Sequence, residues 1–122
     1  ALYHPEYGYY MRQKVFGEEG DYITAPEISQ IFGELLAVQC LHFLENLPTA
    51  PQSIALIEYG PGRGTLMADM LRIFKQFPAY FDHLKTYLIE VSPSLQQQQA
   101  YTLAGHAVCW VKTLQDVPPT AA

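Results

Sequence analysis

Positive charge is scarce in this chain: 7 Lys and Arg stand against 12 Asp and Glu in 122 residues, for a net charge of −5. Nucleic-acid surfaces neutralise phosphates with clustered cations, so a general role on RNA or DNA is disfavoured. Long apolar runs are also missing. None approaches the roughly 20 residues a helix needs to cross a bilayer, and no membrane insertion is expected. The two cysteines, Cys40 and Cys109, lie on apolar stretches without Cys or His at ligand spacing. They read as buried free thiols, and no metal site is expected. His4, His42, His83 and His106 are dispersed and compose no Ser-His-Asp set. No secretory or transit segment is visible, although Ala1 in place of an initiator methionine points to a segment upstream.

What is present is a globular composition, 49% hydrophobic and 16% charged, enough for one core. The chain is organised around Ile54 to Leu66, IALIEYGPGRGTL. Ile54 to Ile57 is the short apolar run of a strand buried on both faces of a parallel sheet. Glu58 closes it. Gly60, Gly62 and Gly64 then permit positive φ and let a ligand reach bare backbone. A helix predicted from Thr65 to Phe77 points its free amides back at the loop. Strand end, loop and helix start outline a nucleotide site.

Spacing separates the ligands. A phosphate-cradling P-loop needs Lys and then Ser or Thr after its last glycine, where this chain has Thr65 and Leu66. The dinucleotide fingerprint wants a third glycine at Thr65 and brings a pyrophosphate beside Glu58, an unfavourable neighbour. An acid there suits a cationic ligand end, as in S-adenosylmethionine, whose α-ammonium and ribose hydroxyls both seek carboxylates. Glu58, Gly60, Gly62 and Gly64 match the acid-x-Gly-x-Gly-x-Gly pattern of class I methyltransferases. Lys85 to Val91 reads as the next strand, and Glu90 stands where a ribose-binding acid belongs. The plain alternative makes Glu58 and Glu90 ordinary solvated strand-end residues around a turn.

Upstream, Ala1 to Gly20 is rich in tyrosine and glycine and reads as loops with a short strand. Thr24 and Glu27 are spaced as a capping box, with Pro26 tolerated in a first helical turn. The helix begun there carries Ile28, Ile31, Phe32, Leu35, Leu36, Leu41, Phe43 and Leu44 and ends before Pro48. It is expected to pack on one side of the sheet. Downstream, Ser92 caps a helix with Pro93 first, Gly105 ends it, and Ala107 to Val111 makes another strand. The expected fold class is α/β, the first half of a Rossmann-like sheet: strand, helix, strand, helix, strand over residues 54–122. Residues 1–53 form the N-terminal loop and helix segment. Right-handed crossovers order the three strands 3-2-1, with the far side of the first left bare for want of a fourth.

YGYY, GDYITAPEISQIFGELLA, IEYGPGRGTLMADMLR and LIEVSPSLQQQQ, in that order, resemble the MidA family of class I methyltransferases. That family includes the mitochondrial complex I assembly factor that methylates an arginine. The resemblance runs from Tyr7 to about Pro118 and implies an S-adenosylmethionine-dependent enzyme acting on a protein arginine. Cytoplasmic location follows for a bacterial source and mitochondrial location for a eukaryotic one. By position it assigns Gly20, Asp21, Thr24, Pro26, Glu27 and Ser29 to a cofactor and acceptor stretch. Gly60, Gly62, Gly64 and Thr65 become the glycine loop, and Glu90 and Ser92 the second strand end. Family members are longer, and their N-E-x-x-D-A-x-P segment does not occur here, so the chain is expected to be a fragment.

Glu27 and Asp21 are the candidate catalytic acids, since a carboxylate beside a guanidinium localises its charge and orients one nitrogen. Both have structural alternatives, as capping partner and turn residue. Arg63 either pairs with a carboxylate of cofactor or acceptor or projects into water. Asp116 reads better as a turn residue than as an adenine acceptor. A binding or chaperone module that keeps the pocket without catalysis is the alternative function. A nicotinamide oxidoreductase is disfavoured by the glycine spacing.

Overall fold

The computed structural model describes residues 2–3, 9–14 and 26–118, with side chains from residue 30 onward. Strands β1 (Leu2–Tyr3), β2 (Tyr9–Lys14), β3 (Ile54–Tyr59), β4 (Leu84–Ile89) and β5 (Val108–Val111) form one sheet in that spatial order. β1 pairs antiparallel to β2, and every other pair is parallel. Helices α1 (Pro26–Glu45), α2 (Thr65–Phe74) and α4 (Pro93–Thr102) make the crossovers, and α3 (Pro78–Phe81) is a single turn leading into β4.

The three strands read from sequence lie in the order expected, β5-β4-β3. The bare flank does not exist. β2 pairs with β3 along six residues, from Tyr9 opposite Ile54 to Lys14 opposite Tyr59. A buried central strand cannot leave one row of N–H and C=O groups unpaired, and this extended segment supplies their partners. β3 is consequently buried from Ile54 to Glu58.

α1 starts at Pro26, as its tolerance of the first turn suggested; Thr24 lies outside the described residues. Ala37, Cys40, Leu41 and Leu44 form its buried stripe, packed with Met67, Met70, Leu71 and Phe74 of α2 over Ile54, Leu56 and Leu88. Each large side chain buried here contributes roughly 1.5–3 kcal/mol. The helices cross tightly at Gly33, where an added Cβ would lie 2.8 Å from the Asp69 Cβ. Arg72 bonds Glu34 of α1 at 3.1 Å across that crossing and Asp69 of its own helix at 3.0 Å. Three positions assigned to the packed side, Ile31, Leu35 and Phe43, are instead exposed. At 100° per residue they fall outside the Ala37–Leu44 stripe, because α1 is apolar around more than one face.

On the other face of the sheet, Ala55, Ile57, Tyr87 and Ile89 pack with Val117. The cysteines divide. Cys40 is buried, which pushes its thiol up to about 11, whereas Cys109 is exposed. Strand alternation explains the correction: Val108 and Trp110 pack against the core, and Cys109 between them points to the opposite face of the strand.

Candidate functional site

Glu58 shares a face of β3 with Ile54 and Leu56 by the two-residue alternation, so its carboxyl enters the helix-covered side of the sheet. It is 1% exposed, and neither oxygen has a hydrogen-bond partner among the described residues. Burial pushes its pKa up to about 8. A carboxyl without a partner in such a place is costly, and it marks a position where a donor is wanted.

The glycine loop begins just beyond. The Gly60 amide donates to the Ile89 carbonyl at 3.0 Å, carrying the β3–β4 ladder into the turn, and the Gly64 amide donates to the Pro61 carbonyl at 2.9 Å. Gly60, Gly62 and Gly64 have φ of 52°, 59° and 86°. These values are left-handed and favour glycine. The three differ in surroundings. A Cβ on Gly60 or Gly62 meets nothing within 4 Å among the described residues, whereas one on Gly64 would sit 3.4 Å from Gln99 Cα and Leu103 Cδ1. Gly64 thus packs the loop onto α4, while Gly60 and Gly62 keep a cradle open. Gly64 is also the N-cap of α2, and no side chain among the described residues caps that helix, so Thr65 opens a first turn whose amides face the loop.

The second acid is held differently. Glu90 follows β4 and is 9% exposed. Its Oε2 accepts from the Ser92 amide at 3.1 Å and its Oε1 from Gln99 Nε2 at 3.2 Å. Its carbonyl accepts from Gln96 Nε2 at 2.7 Å. Ser92 caps α4, its Oγ accepting from the Leu95 amide, with Pro93 in the first turn as read from sequence.

Glu58, Gly60, Gly62, Gly64, Thr65, Glu90 and Ser92 are therefore gathered at the carboxyl ends of β3 and β4. Glu27 and Ser29 lie in the first turn of α1, their side chains outside the described residues. Gly20, Asp21 and Thr24 lie outside them altogether. Asp116 bonds the amide and hydroxyl of Thr113, which makes it the turn residue expected. An open depression of about 510 Å³ lies between exposed Arg63 and the outer face of α4, lined by Ser94, Gln97, Gln98, Tyr101 and Thr102. It includes neither acid. Among the described residues no group of His, Cys, Asp or Glu is placed to hold a metal, and no helix is long and apolar enough to cross a membrane.

Gln99 is the residue that sequence reasoning missed. It is fully buried, the one buried member of a run of four glutamines. The available signal was its place on the stripe Leu95, Gln99, Leu103, where an apolar residue belongs.

Residues 35–122 match a family model described as "Putative S-adenosyl-L-methionine-dependent methyltransferase". The mitochondrial protein arginine methyltransferase NDUFAF7 of Xenopus laevis is 41% identical over 97% of this chain and 32% of its own. That of Danio rerio is 46% identical over 87% of this chain and 25% of its own. The human protein of that name is 38% identical, with coverage of 97% and 32%. The chain thus spans about a third or less of the length of these curated relatives. An uncharacterized protein from Burkholderia thailandensis, known as a crystal structure, is similar in fold with a TM-score of 0.56. It is 27% identical over 80% of this chain and 26% of that one.

Proposed function

Since this chain belongs to the S-adenosyl-L-methionine-dependent methyltransferase family, we propose that its glycine loop and two strand-end acids hold S-adenosylmethionine for methyl transfer to a protein arginine. The observation that carries this reading is Glu58: a buried carboxyl with no partner among the described residues, at the foot of an open glycine cradle. A cationic α-ammonium fits that position, and a phosphate does not. Gly60 and Gly62 admit the ligand to the backbone, the uncapped first turn of α2 at Thr65 offers amides to its carboxylate, and Glu90 accepts from its ribose hydroxyls.

When bound, the cofactor supplies a sulfonium methyl group open to in-line displacement. The protein's part is then to align the acceptor nitrogen, exclude water and settle the acceptor's charge. Asp21 and Glu27 are assigned the last of these on the family resemblance, with Gly20, Thr24 and Ser29 beside them. A protein arginine as acceptor accords with the names of the relatives, and a respiratory complex I subunit with the resemblance of the four motifs. Location is mitochondrial in a eukaryote and cytoplasmic in a bacterium on the same reading.

Calorimetric titration of S-adenosylhomocysteine into the full-length protein tests the pocket, with NAD as the control and Gly62→Val as the blocked loop. Saturable binding lost in the variant is the expected result. No binding, or binding of NAD in its place, overturns the reading. Methylation of a candidate subunit by the full-length protein then tests the acceptor.

A further inference from the structure

The fully buried amide of Gln99 joins the two halves of the site. Its Oε1 accepts from Trp110 Nε1 at 2.7 Å. Its Nε2 donates to the Gly62 carbonyl at 2.8 Å and to Glu90 Oε1 at 3.2 Å. Tryptophan fixes which way this amide faces. An indole N–H only donates, so the oxygen of Gln99 must turn toward Trp110 and its NH2 group toward the loop and the acid. Both amide hydrogens are then engaged, one on each half of the site.

We propose that Gln99 is a positioning residue that sets the separation of the glycine loop from Glu90 and thereby the selectivity for a ribose carrying its hydroxyl groups. This rests on the cofactor reading above. An ionised carboxylate has about four acceptor positions. Gln99 and the Ser92 amide use two of Glu90's, one on each oxygen, leaving one on each for the two hydroxyls of a ribose. A neutral amide holds the carboxylate in place without pairing off its charge, which an Arg or Lys there would do. The same amide grips the Gly62 carbonyl, so the loop and the ribose acid move together.

The test compares S-adenosylhomocysteine with its 2′-deoxyadenosyl analogue by calorimetry on the full-length protein, in wild type, Gln99→Met, Trp110→Phe and Glu90→Gln. Gln99→Met keeps the length and loses every hydrogen bond, and Trp110→Phe removes only the anchor that orients the amide. Wild type is expected to prefer the ribose ligand by about tenfold or more, the scale of one hydrogen bond to a charged group. The preference is expected to collapse toward unity in Gln99→Met and Glu90→Gln, and to shrink in Trp110→Phe. A Gln99 that only filled space would lower stability while leaving the preference intact, and that result overturns the inference while sparing the cofactor reading. Wild type that binds neither ligand overturns both. If Gln99→Met does not fold, Trp110→Phe decides: undiminished preference there overturns the proposal.

Discussion

Two carboxylates sit at the ends of neighbouring strands and are treated in opposite ways. Glu90 is met by the protein itself, through the Ser92 amide and Gln99, before any ligand arrives. Glu58 is more deeply enclosed and is met by nothing among the described residues. The first is preorganised, aimed before any ligand arrives. The second is destabilised by burial. On the proposed cofactor reading, the site takes one end of its ligand by geometry and meets the other with a carboxyl that has no partner among the described residues.

The sharpest way to break the comparison is through pH. Burial raises the Glu58 pKa from an ordinary 4.5 to about 8. Between these values the folded protein keeps a proton that the unfolded chain has released. Stability therefore falls as pH rises through that window, by up to roughly 1.4 kcal/mol per unit, and levels off above it. Glu58→Gln is expected to remove this part of the slope, measured by urea denaturation from pH 5 to 8; an unchanged slope would return Glu58 to the solvated strand-end residues. A cationic ligand end needs the ionised form, so affinity for S-adenosylhomocysteine should rise by up to about tenfold per unit toward pH 8 in wild type. Calorimetry in buffers of differing ionisation enthalpy would register the released proton.

Glu90→Gln should cost roughly 1–3 kcal/mol, because its NH2 group must face one of two donors and leave it unpaired. Denaturation at pH 7 checks this, and a neutral substitution would mean that the two bonds do little. Among the glycines, Gly64→Ala should cost more than Gly62→Ala. Both incur the left-handed penalty of about 1–2 kcal/mol, and only the former presses a Cβ onto α4. Equal costs would show that the loop does not bear on that helix. The smallest effect concerns Glu34, an acid at the surface held below the ordinary range by bonds from Gln30 and Arg72. Arg72→Ala is expected to cost under about 1 kcal/mol, reduced further by salt, since a half-exposed bridge is screened. A larger loss would make the α1–α2 crossing depend on charge more than on the contact at Gly33.

Sequence spoke clearly wherever the chemistry was local. The loop, its flanking acids, the Ser92 cap with Pro93 and the apolar run of β3 each need only a few adjacent residues, and each lies where it was read. What sequence concealed depends on partners far along the chain. β2 covers β3 from 45 positions away, the offset of its register, and no short pattern declares such a pairing. The outer residues of α1 look like its core residues, because hydrophobicity alone does not say which face meets the sheet. Cys109 was misplaced by reading an apolar run where a one-sided edge strand alternates. Gln99 was hidden among identical neighbours, its role set by Trp110 and by a carbonyl 37 residues away.

The chain has one tryptophan, and its indole N–H is engaged by the amide that touches both Gly62 and Glu90. Indole emission responds to the hydrogen bond on that nitrogen and to the polarity around the ring. Trp110 is therefore a built-in optical reporter, wired to the loop by a single side chain. On the proposed cofactor reading, filling of the site is expected to change the fluorescence of Trp110, with Gln99→Met as the cut wire.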